Sequence, residues 1–172
     1  MSTLMFTTDA DVARVCAIDP GPSESAFVLF EVGSEIIIER GKWPNRQVID
    51  YLATYRDYGP STTLVIEQVA AMGMAVGAEV FETVFWSGRF AERWQGRWDR
   101  IKRHEVKTHL CGNQRAKDAN IRQALLDRFG GKEKAIGKKK TPGPLYGLAG
   151  DEWSALAIAI VWSDTRNITH HE

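Results

Sequence analysis

The sequence predicts an α/β domain in which a mixed β-sheet is flanked by helices. Three observations lead to this prediction. Short apolar runs typical of strands occur near the start of the chain, stretches with apolar residues at helical spacing follow, and a further strand-like run lies between two of the helical stretches. Since 172 residues with 44% hydrophobic content suit a single core, we expect one domain over residues 1–172.

The first half of the chain is predicted to form three strands, a helix and a fourth strand. The three strands, Arg14–Asp19, Phe27–Glu31 and Ile36–Arg40, are separated only by turn-forming residues, which indicates an antiparallel meander. Apolar residues at helical spacing predict a helix over Gln47–Tyr58, and a buried strand follows over Thr63–Glu67. This helix is expected to return the chain to the sheet.

The second half is predicted to be mainly helical. A helix over Ala75–Gln95 has aromatic residues four positions apart, a stripe more typical of a core or a subunit interface than of a base-stacking platform. A fifth strand is expected over Trp98–Val106 and a helix over Arg115–Phe129. Lysine, glycine and proline residues predict a mobile basic loop at about 131–149, and Ser154–Trp162 is apolar enough for a buried helix that begins near Asp151.

The charge of the chain is zero overall but unevenly distributed. The chain has 22 basic and 22 acidic residues, yet residues 97–140 contain 14 Lys and Arg against 5 Asp and Glu. Such an excess is greater than a solvated helix face usually shows and favours a polyanionic partner for the middle of the chain.

The sequence shows no signal for export or for membrane insertion. There is no charged and then apolar leader, and no apolar run approaches 18 residues. The two cysteines, Cys16 and Cys111, are far apart and predict reduced thiols rather than a disulfide framework. We expect a soluble, cytoplasmic protein without a membrane partner.

Three acidic residues stand where an active site would need them. Asp19 and Glu67 each end an apolar strand, and Asp151 opens the buried helix. Each has an ordinary structural alternative, because a strand-end acid often accepts hydrogen bonds from turn amides and a helix-start acid is a common N-cap. Together around one sheet they fit a divalent-metal site, since Mg²⁺ prefers oxygen ligands and two such ions can promote phosphodiester hydrolysis.

Four motifs resemble one known family. The stretches AIDPG (17–21), VIEQV (65–69), VKTHLCGNQRAKDANIRQAL (106–125) and GDEWSALAIAI (150–160) resemble RuvC-type Holliday-junction resolvases, particularly the branch found in bacteriophages and prophages. The resemblance spans roughly residues 14–163. It implies a ribonuclease-H-like mixed five-stranded sheet flanked by helices, a homodimer, and paired symmetric nicks in four-way DNA junctions with Mg²⁺, or Mn²⁺ in its place.

The resemblance also assigns roles to individual residues. It implies that Asp19 is the first-strand acid that bridges two metals, that Glu67 is the second-strand ligand, and that Asp151 is the first acid of the final helix. Within the third motif, Lys107, Arg115 and Lys117 are implied to bind DNA.

Two positions depart from the family pattern. Ser154 stands where better-known members have a second acid in the final motif, so either its hydroxyl or the neighbouring Glu152 has to replace that acid. Ala70 stands where many members have an aromatic residue that stacks in the opened junction, which leaves Met72, Met74 or an aromatic residue elsewhere for that task. Two alternatives to a junction resolvase therefore stay open: a nuclease for other branched DNA or RNA–DNA hybrids, and a catalytically inactive junction-binding protein.

Overall fold

The computed structural model describes residues 12–54, 61–71, 73 and 75–166 of the protein. Three consecutive strands come first, and helices and further strands follow. They are β1 (Arg14–Asp19), β2 (Glu24–Glu31), β3 (Ile36–Pro44), α1 (Asn45–Thr54), β4 (Thr62–Gln68), α2 (Ala78–Arg93), β5 (Trp98–Lys102), α3 (Arg103–Cys111), α4 (Asp118–Arg128), α5 (Lys132–Ile136), β6 (Gly137–Lys138), β7 (Thr141–Pro142) and α6 (Glu152–Arg166).

The main sheet is mixed and has the strand order β3-β2-β1-β4-β5. The first three strands pair antiparallel, which confirms the predicted meander. β4 pairs parallel with both β1 and β5. The carboxyl ends of β1, β4 and β5 therefore meet at one edge of the sheet, the usual location of ligand sites in open α/β sheets.

Alternation along the strands divides the core between the two faces of the sheet. Val15 and Ala17 of β1 pack in the cluster that contains α6, whereas Cys16 and Ile18 pack in the cluster on the other face, with α1 and α2. Helix α6 is buried on nearly all sides, as its composition predicts. Among the described helices, none combines the length and apolar character that crossing a membrane requires.

Several predicted elements extend differently in the structure. β2 begins at Glu24 instead of Phe27, and β3 continues to Pro44 instead of ending at Arg40. Helix α1 begins at Asn45 instead of Gln47, while residues 55–58, the last part of the predicted helix, lie outside the described residues. The prediction of a strand over Trp98–Val106 is wrong beyond Lys102, because a helix begins there.

The misassigned stretch is helix α3. Its first turn is closed by Glu105, whose Oε2 atom accepts a hydrogen bond from the backbone N–H of Lys102 at 2.8 Å. The N-cap position holds Lys102 instead of the Ser, Thr, Asp or Asn that usually marks a helix start, so no local signal indicates this start. The next helix correspondingly begins at Asp118 rather than at Arg115.

The basic segment 131–149 contains regular structure, which corrects the expectation of a loop there. The short helix α5 is followed by the two-stranded sheet β6–β7. Ala135, Leu145 and Leu148 are buried and anchor the segment to the α6 side of the core. A Cβ atom at Gly137 would meet the carbonyl oxygen of Thr141 at 2.3 Å, and Gly137 has φ = +67°, so the tight pairing depends on glycine.

Candidate active site

Two carboxylates lie side by side at the carboxyl edge of the parallel strands. Ile18 of β1 pairs with Ile66 of β4, so the following residues, Asp19 and Glu67, are neighbours across the two strands. Glu67 is two residues after Val65, so its side chain points to the same face of the sheet as that of Val65, which packs in the α6 cluster. Both acids therefore lie on the face that α6 covers, one residue beyond the apolar interior.

The turn after Asp19 is fixed by a buried polar pair. The Ser25 hydroxyl donates to Asn45 Oδ1 at 2.7 Å, and Asn45 Nδ2 donates to the carbonyl of Gly21 at 3.0 Å. The backbone N–H of Gly21 in turn donates to the Ser25 hydroxyl at 3.1 Å. A Cβ atom at Gly21 would meet the carbonyl oxygen of Glu24 at 2.3 Å, so this turn requires glycine. The pair thus fixes the backbone that positions Asp19.

Arg103 lies between the acids and α6. It begins α3 directly after β5, and its Nη1 atom is 3.1 Å from Glu67 Oε2 and 3.3 Å from the Oγ atom of Ser154. Its Nη2 atom contacts the carboxylate of Asp118. The side chain lines two cavities of about 300 Å³ each, one shared with Asp151 and Ser154 and the other with Glu67. The guanidinium group therefore occupies the centre of the site.

The acids at this edge are only partly neutralised. Burial raises the pKa of Asp19 to about 7, and the negative charges of Glu67 and Asp151 contribute to the rise. Arg103 and a hydrogen bond from Ser154 act in the opposite direction. Burial also raises the pKa of Glu67 and outweighs the pairing with Arg103. The two acids thus retain a capacity for a further cation.

Asp151 approaches the same site from the start of α6. Its side chain is 53% exposed, and its Oδ2 atom lies 2.8 Å from Lys42 Nζ. Lys42 of β3 is in register with Ala26 of β2, which is in register with Asp19. The lysine therefore reaches Asp151 across the small Ala26 side chain, on the α6 face of the sheet.

Glu152 is turned away from the other acids. It is 8% exposed, and its Oε2 atom lies 2.6 Å from Arg40 Nη1 and accepts a hydrogen bond from the backbone N–H of Ala149 at 2.9 Å. Ser154, by contrast, contacts both Asp19 and Arg103. Of the two residues that could replace the fourth acid, Ser154 is the one that lies in the site.

The donor set at this edge fits a divalent cation bound by few protein ligands. Within the described residues there is no group of three His, Cys, Asp or Glu side chains arranged to hold a metal ion. Asp19 and Glu67 supply hard oxygen donors, and their raised pKa values show that added positive charge would stabilise them. Asp151 becomes a third donor only if it exchanges Lys42 for the ion.

The basic residues predicted to bind DNA differ in their distance from the acids. Lys107 is half-buried on α3 and lines the Glu67 cavity, which Ala70 also lines. Arg115 and Lys117 are exposed in the connection between α3 and α4, and Lys117 directly precedes Asp118, the partner of Arg103. Met72 and Met74, the candidates for the junction-opening role, lie outside the described residues.

Helix α2 presents apolar side chains on both of its sides. Phe90, one of the residues of the predicted aromatic stripe, is buried in the core against the sheet. On the outer side, Phe81, Val84 and Phe85 are 67%, 52% and 58% exposed, and Trp98 at the start of the neighbouring edge strand is 49% exposed. These four residues form an outer apolar patch of the kind that marks an interaction surface.

Sequence reasoning missed the residues that support the acids. Arg103 fell inside the strand predicted over Trp98–Val106, whereas the real strand ends at Lys102 and so places Arg103 at the same edge as Asp19 and Glu67. Lys42 and Arg40 gave no such signal, because their partners are distant in the sequence and become neighbours only through the register of β3.

No family model and no curated protein matches the sequence. Solved structures do match. The fold is similar to that of Thermus thermophilus RuvC, with a TM-score of 0.64 and 15% identity over 90% of this chain and 96% of that chain. T. thermophilus RuvC in complex with Holliday junction substrate gives 0.62 and 12% identity over 91% and 96%. The yeast mitochondrial Holliday junction resolvase Ydc2 gives 0.54 and 10% identity over 91% and 82%. The protein therefore has the RuvC-like, ribonuclease-H-like α/β fold, and the predicted fold class is confirmed.

Proposed function

We propose that the protein is a divalent-metal-dependent endonuclease that resolves four-way DNA junctions by paired symmetric nicks. The observation that supports this most strongly is the pair of neighbouring acids, Asp19 and Glu67, at the strand-end edge of a RuvC-like fold. Their raised pKa values and the cations around them suit chemistry on a phosphate. The sequence motifs that resemble phage-borne resolvases include both residues.

Each side chain has a distinct task in this proposal. Asp19 and Glu67, with Asp151 as a third donor, hold Mg²⁺ or Mn²⁺. The bound ion supplies Lewis-acid polarisation of the phosphate and activation of the attacking water. The Ser154 hydroxyl orients the Asp19 carboxylate through its hydrogen bond, and Lys107, beside the Glu67 cavity, attracts the phosphate backbone.

The basic middle of the chain supplies the DNA-binding surface in this proposal. Arg115 and Lys117 are exposed beside the α3–α4 connection, so they can contact phosphates farther from the scissile bond. RuvC of T. thermophilus has been solved with a Holliday junction substrate, and we extend this substrate class to the present protein. Such a task belongs in the cytoplasm, where bacterial and phage DNA recombine.

A junction resolvase must cut two strands in a symmetric manner, and we propose that a homodimer supplies the symmetry. The outer apolar patch of Phe81, Val84, Phe85 and Trp98 is the surface that a second copy would cover. Its continuity along α2 and the adjacent edge strand suits a two-fold interface, in which the same patch contributes from both copies.

The test is cleavage of labelled four-way junctions, forks, flaps, linear duplexes and RNA–DNA hybrids with Mg²⁺ or Mn²⁺. We expect symmetric nicks in the four-way junction, loss of nicking in Asp19→Asn and Glu67→Gln, and retained junction binding in both variants. Arg46→Met is the control, because Arg46 is exposed on α1, on the opposite face of the sheet.

Each alternative gives a different result in the same assay. Preferential cutting of forks, flaps or hybrids would replace the junction with another substrate. Binding without metal-dependent nicking of any substrate would favour the inactive binder, an alternative that the serine at position 154 keeps open. Near-normal nicking by Asp19→Asn would show that the acids have been assigned the wrong role.

A further inference from the structure

We propose that the Arg103 guanidinium occupies the position of a second cation, so that the site takes up one divalent ion per chain. This inference rests on the proposed function, because it concerns the metal site of that activity. It adds a positioning residue that none of the four sequence motifs contains.

The geometry places Arg103 where a second ion would lie. A cation between Glu67 and the first turn of α6 would need to contact the Glu67 carboxylate and the side chain at position 154. Arg103 Nη1 makes both contacts, at 3.1 Å to Glu67 Oε2 and 3.3 Å to Ser154 Oγ. Arg103 also lines both the cavity that contains Glu67 and the cavity that contains Asp151. An ion at this point would require Arg103 to move away.

The charges around the site favour the same arrangement. The four carboxylates of Asp19, Glu67, Asp118 and Asp151 face three positive groups, Lys42, Arg103 and Lys107, which leaves one net negative charge. One divalent ion changes the net charge of the site from one negative to one positive. The single negative charge of a phosphodiester then neutralises it. A second divalent ion would add strong repulsion against both the first ion and the guanidinium.

Ser154 agrees with this charge balance. A carboxylate at this position would supply another anionic ligand to an ion beside Glu67, whereas a hydroxyl supplies a neutral contact. In the structure, the hydroxyl donates to Asp19 and accepts from Arg103, so both its roles are satisfied without a metal. A neutral serine at position 154 therefore suits an arginine, rather than a metal ion, at the position beside Glu67.

A purely structural ion pair makes a different prediction. If Arg103 only stabilised the fold through Glu67 and Asp118, its removal would lower stability without changing the number of ions bound. If it replaces an ion, removing the guanidinium and supplying a carboxylate at 154 should create a second ion site. The number of bound ions thus separates the two roles without any measurement of activity.

The experiment is a titration of the full chain with Mn²⁺. The number of bound ions is measured by calorimetry and, independently, from the electron paramagnetic resonance signal of free Mn²⁺. We expect one ion per chain for the natural protein and for the control Arg46→Met. The double variant R103M/S154D should bind two ions. Ser154→Asp alone should stay at one ion, because the new carboxylate would pair with Arg103, and Arg103→Lys should also stay at one because it retains the charge.

The outcomes distinguish this inference from the proposed function. Two ions in the natural protein, with junction nicking, would overturn the role of Arg103 and leave the nuclease proposal intact. No bound ion together with no nicking would overturn both. A folded R103M/S154D protein that binds one ion would also overturn the inference. If that variant does not fold, as judged by circular dichroism, the milder pair R103Q/S154D takes its place, and a count of one ion in that folded protein would overturn the inference.

Discussion

The Nζ atom of Lys42 lies 2.8 Å from the Oδ2 atom of Asp151, and this ion pair joins the edge strand β3 to the start of α6. The hydrogen bond to Asp151 raises the pKa of Lys42, so the lysine stays charged at neutral pH. A divalent ion that uses Asp151 as a ligand therefore has to compete with Lys42.

Replacing Lys42 with methionine should tighten Mn²⁺ binding. Because the pair is largely exposed and such pairs contribute at most about 1 kcal/mol, the expected gain in affinity is up to about fivefold. Calorimetric titration of Lys42→Met against Lys132→Met, an exposed lysine on α5, measures the difference. Equal affinities in the two variants would argue that Asp151 does not contact the ion.

Metal-free protein should lose stability as the pH rises towards neutrality. The folded pKa of Asp19 is raised from 3.8 to about 7, so between these values the folded chain holds a proton that the unfolded chain has lost. Stability then falls with rising pH through this window and levels off above it. The raised pKa of Glu67 contributes with the same sign.

Urea unfolding between pH 4 and pH 8 in the presence of a chelator tests this dependence. Asp19→Asn cannot titrate, so its free energy of unfolding should fall less steeply with pH than that of the natural protein. Saturating Mn²⁺ should reduce the fall in the natural protein, because the ion stabilises the ionised acid. Parallel curves for the two proteins without metal would contradict the raised pKa.

Lys107 and Lys117 should each contribute to DNA binding in a manner that depends on salt. Loss of one phosphate contact lowers the slope of log affinity against log salt by about one unit. Fluorescence anisotropy with a labelled four-way junction should therefore give flatter slopes for Lys107→Ala and Lys117→Ala than for Arg46→Ala. Identical slopes in all three variants would move the DNA path elsewhere on the protein.

A charge placed in the outer apolar patch should dissociate the proposed dimer. Phe85 is 58% exposed on α2, and glutamate at this position would place two like charges near the two-fold axis. Sedimentation at low micromolar concentration should show Phe85→Glu as a 19.3 kDa monomer and the natural chain as a dimer.

The matched control for this patch is Ile38→Glu. Ile38 is 43% exposed on β3, at the opposite edge of the sheet, so this variant should sediment like the natural protein. A natural chain that is monomeric with and without junction DNA would remove both the dimer and the basis for symmetric cutting.

Asn45→Ala should weaken both the fold and the site. It removes the acceptor of the Ser25 hydroxyl and the donor to the Gly21 carbonyl, and buried polar groups that lose partners cost about 1–3 kcal/mol each. We expect a lower midpoint of urea unfolding and a loss of nicking at temperatures where the variant is still folded. The exposed neighbour Gln47→Ala should change neither property.

The sequence predicted the sheet and its acids because those features depend on local patterns. The apolar run before Asp19 and the one before Glu67 each identify a strand end. The turn-forming residues between β1, β2 and β3 predict the meander. The strand order then brings the two acids together. For these features, periodicity and turn residues contain the necessary information.

The missed features depend on tertiary contacts. Helix α3 was hidden because Glu105 closes its first turn from within the helix, after a lysine that is an uncommon cap. Regular structure after Gly131 was hidden because its stability comes from burial of Ala135 and Leu145 rather than from local propensity. Arg103 could not be paired with Ser154 from sequence, since their contact requires β5 and α6 to be in place.

The position of α6 in the chain also has a consequence during translation. Asp19 and Glu67 leave the ribosome well before Asp151 and Ser154, and until α6 docks, the apolar side chains beneath it have no cover. A nascent or prematurely terminated chain that lacks α6 therefore carries two acids without the helix that completes their surroundings. The two acids therefore gain their complete surroundings only after the segment that covers them has been synthesised.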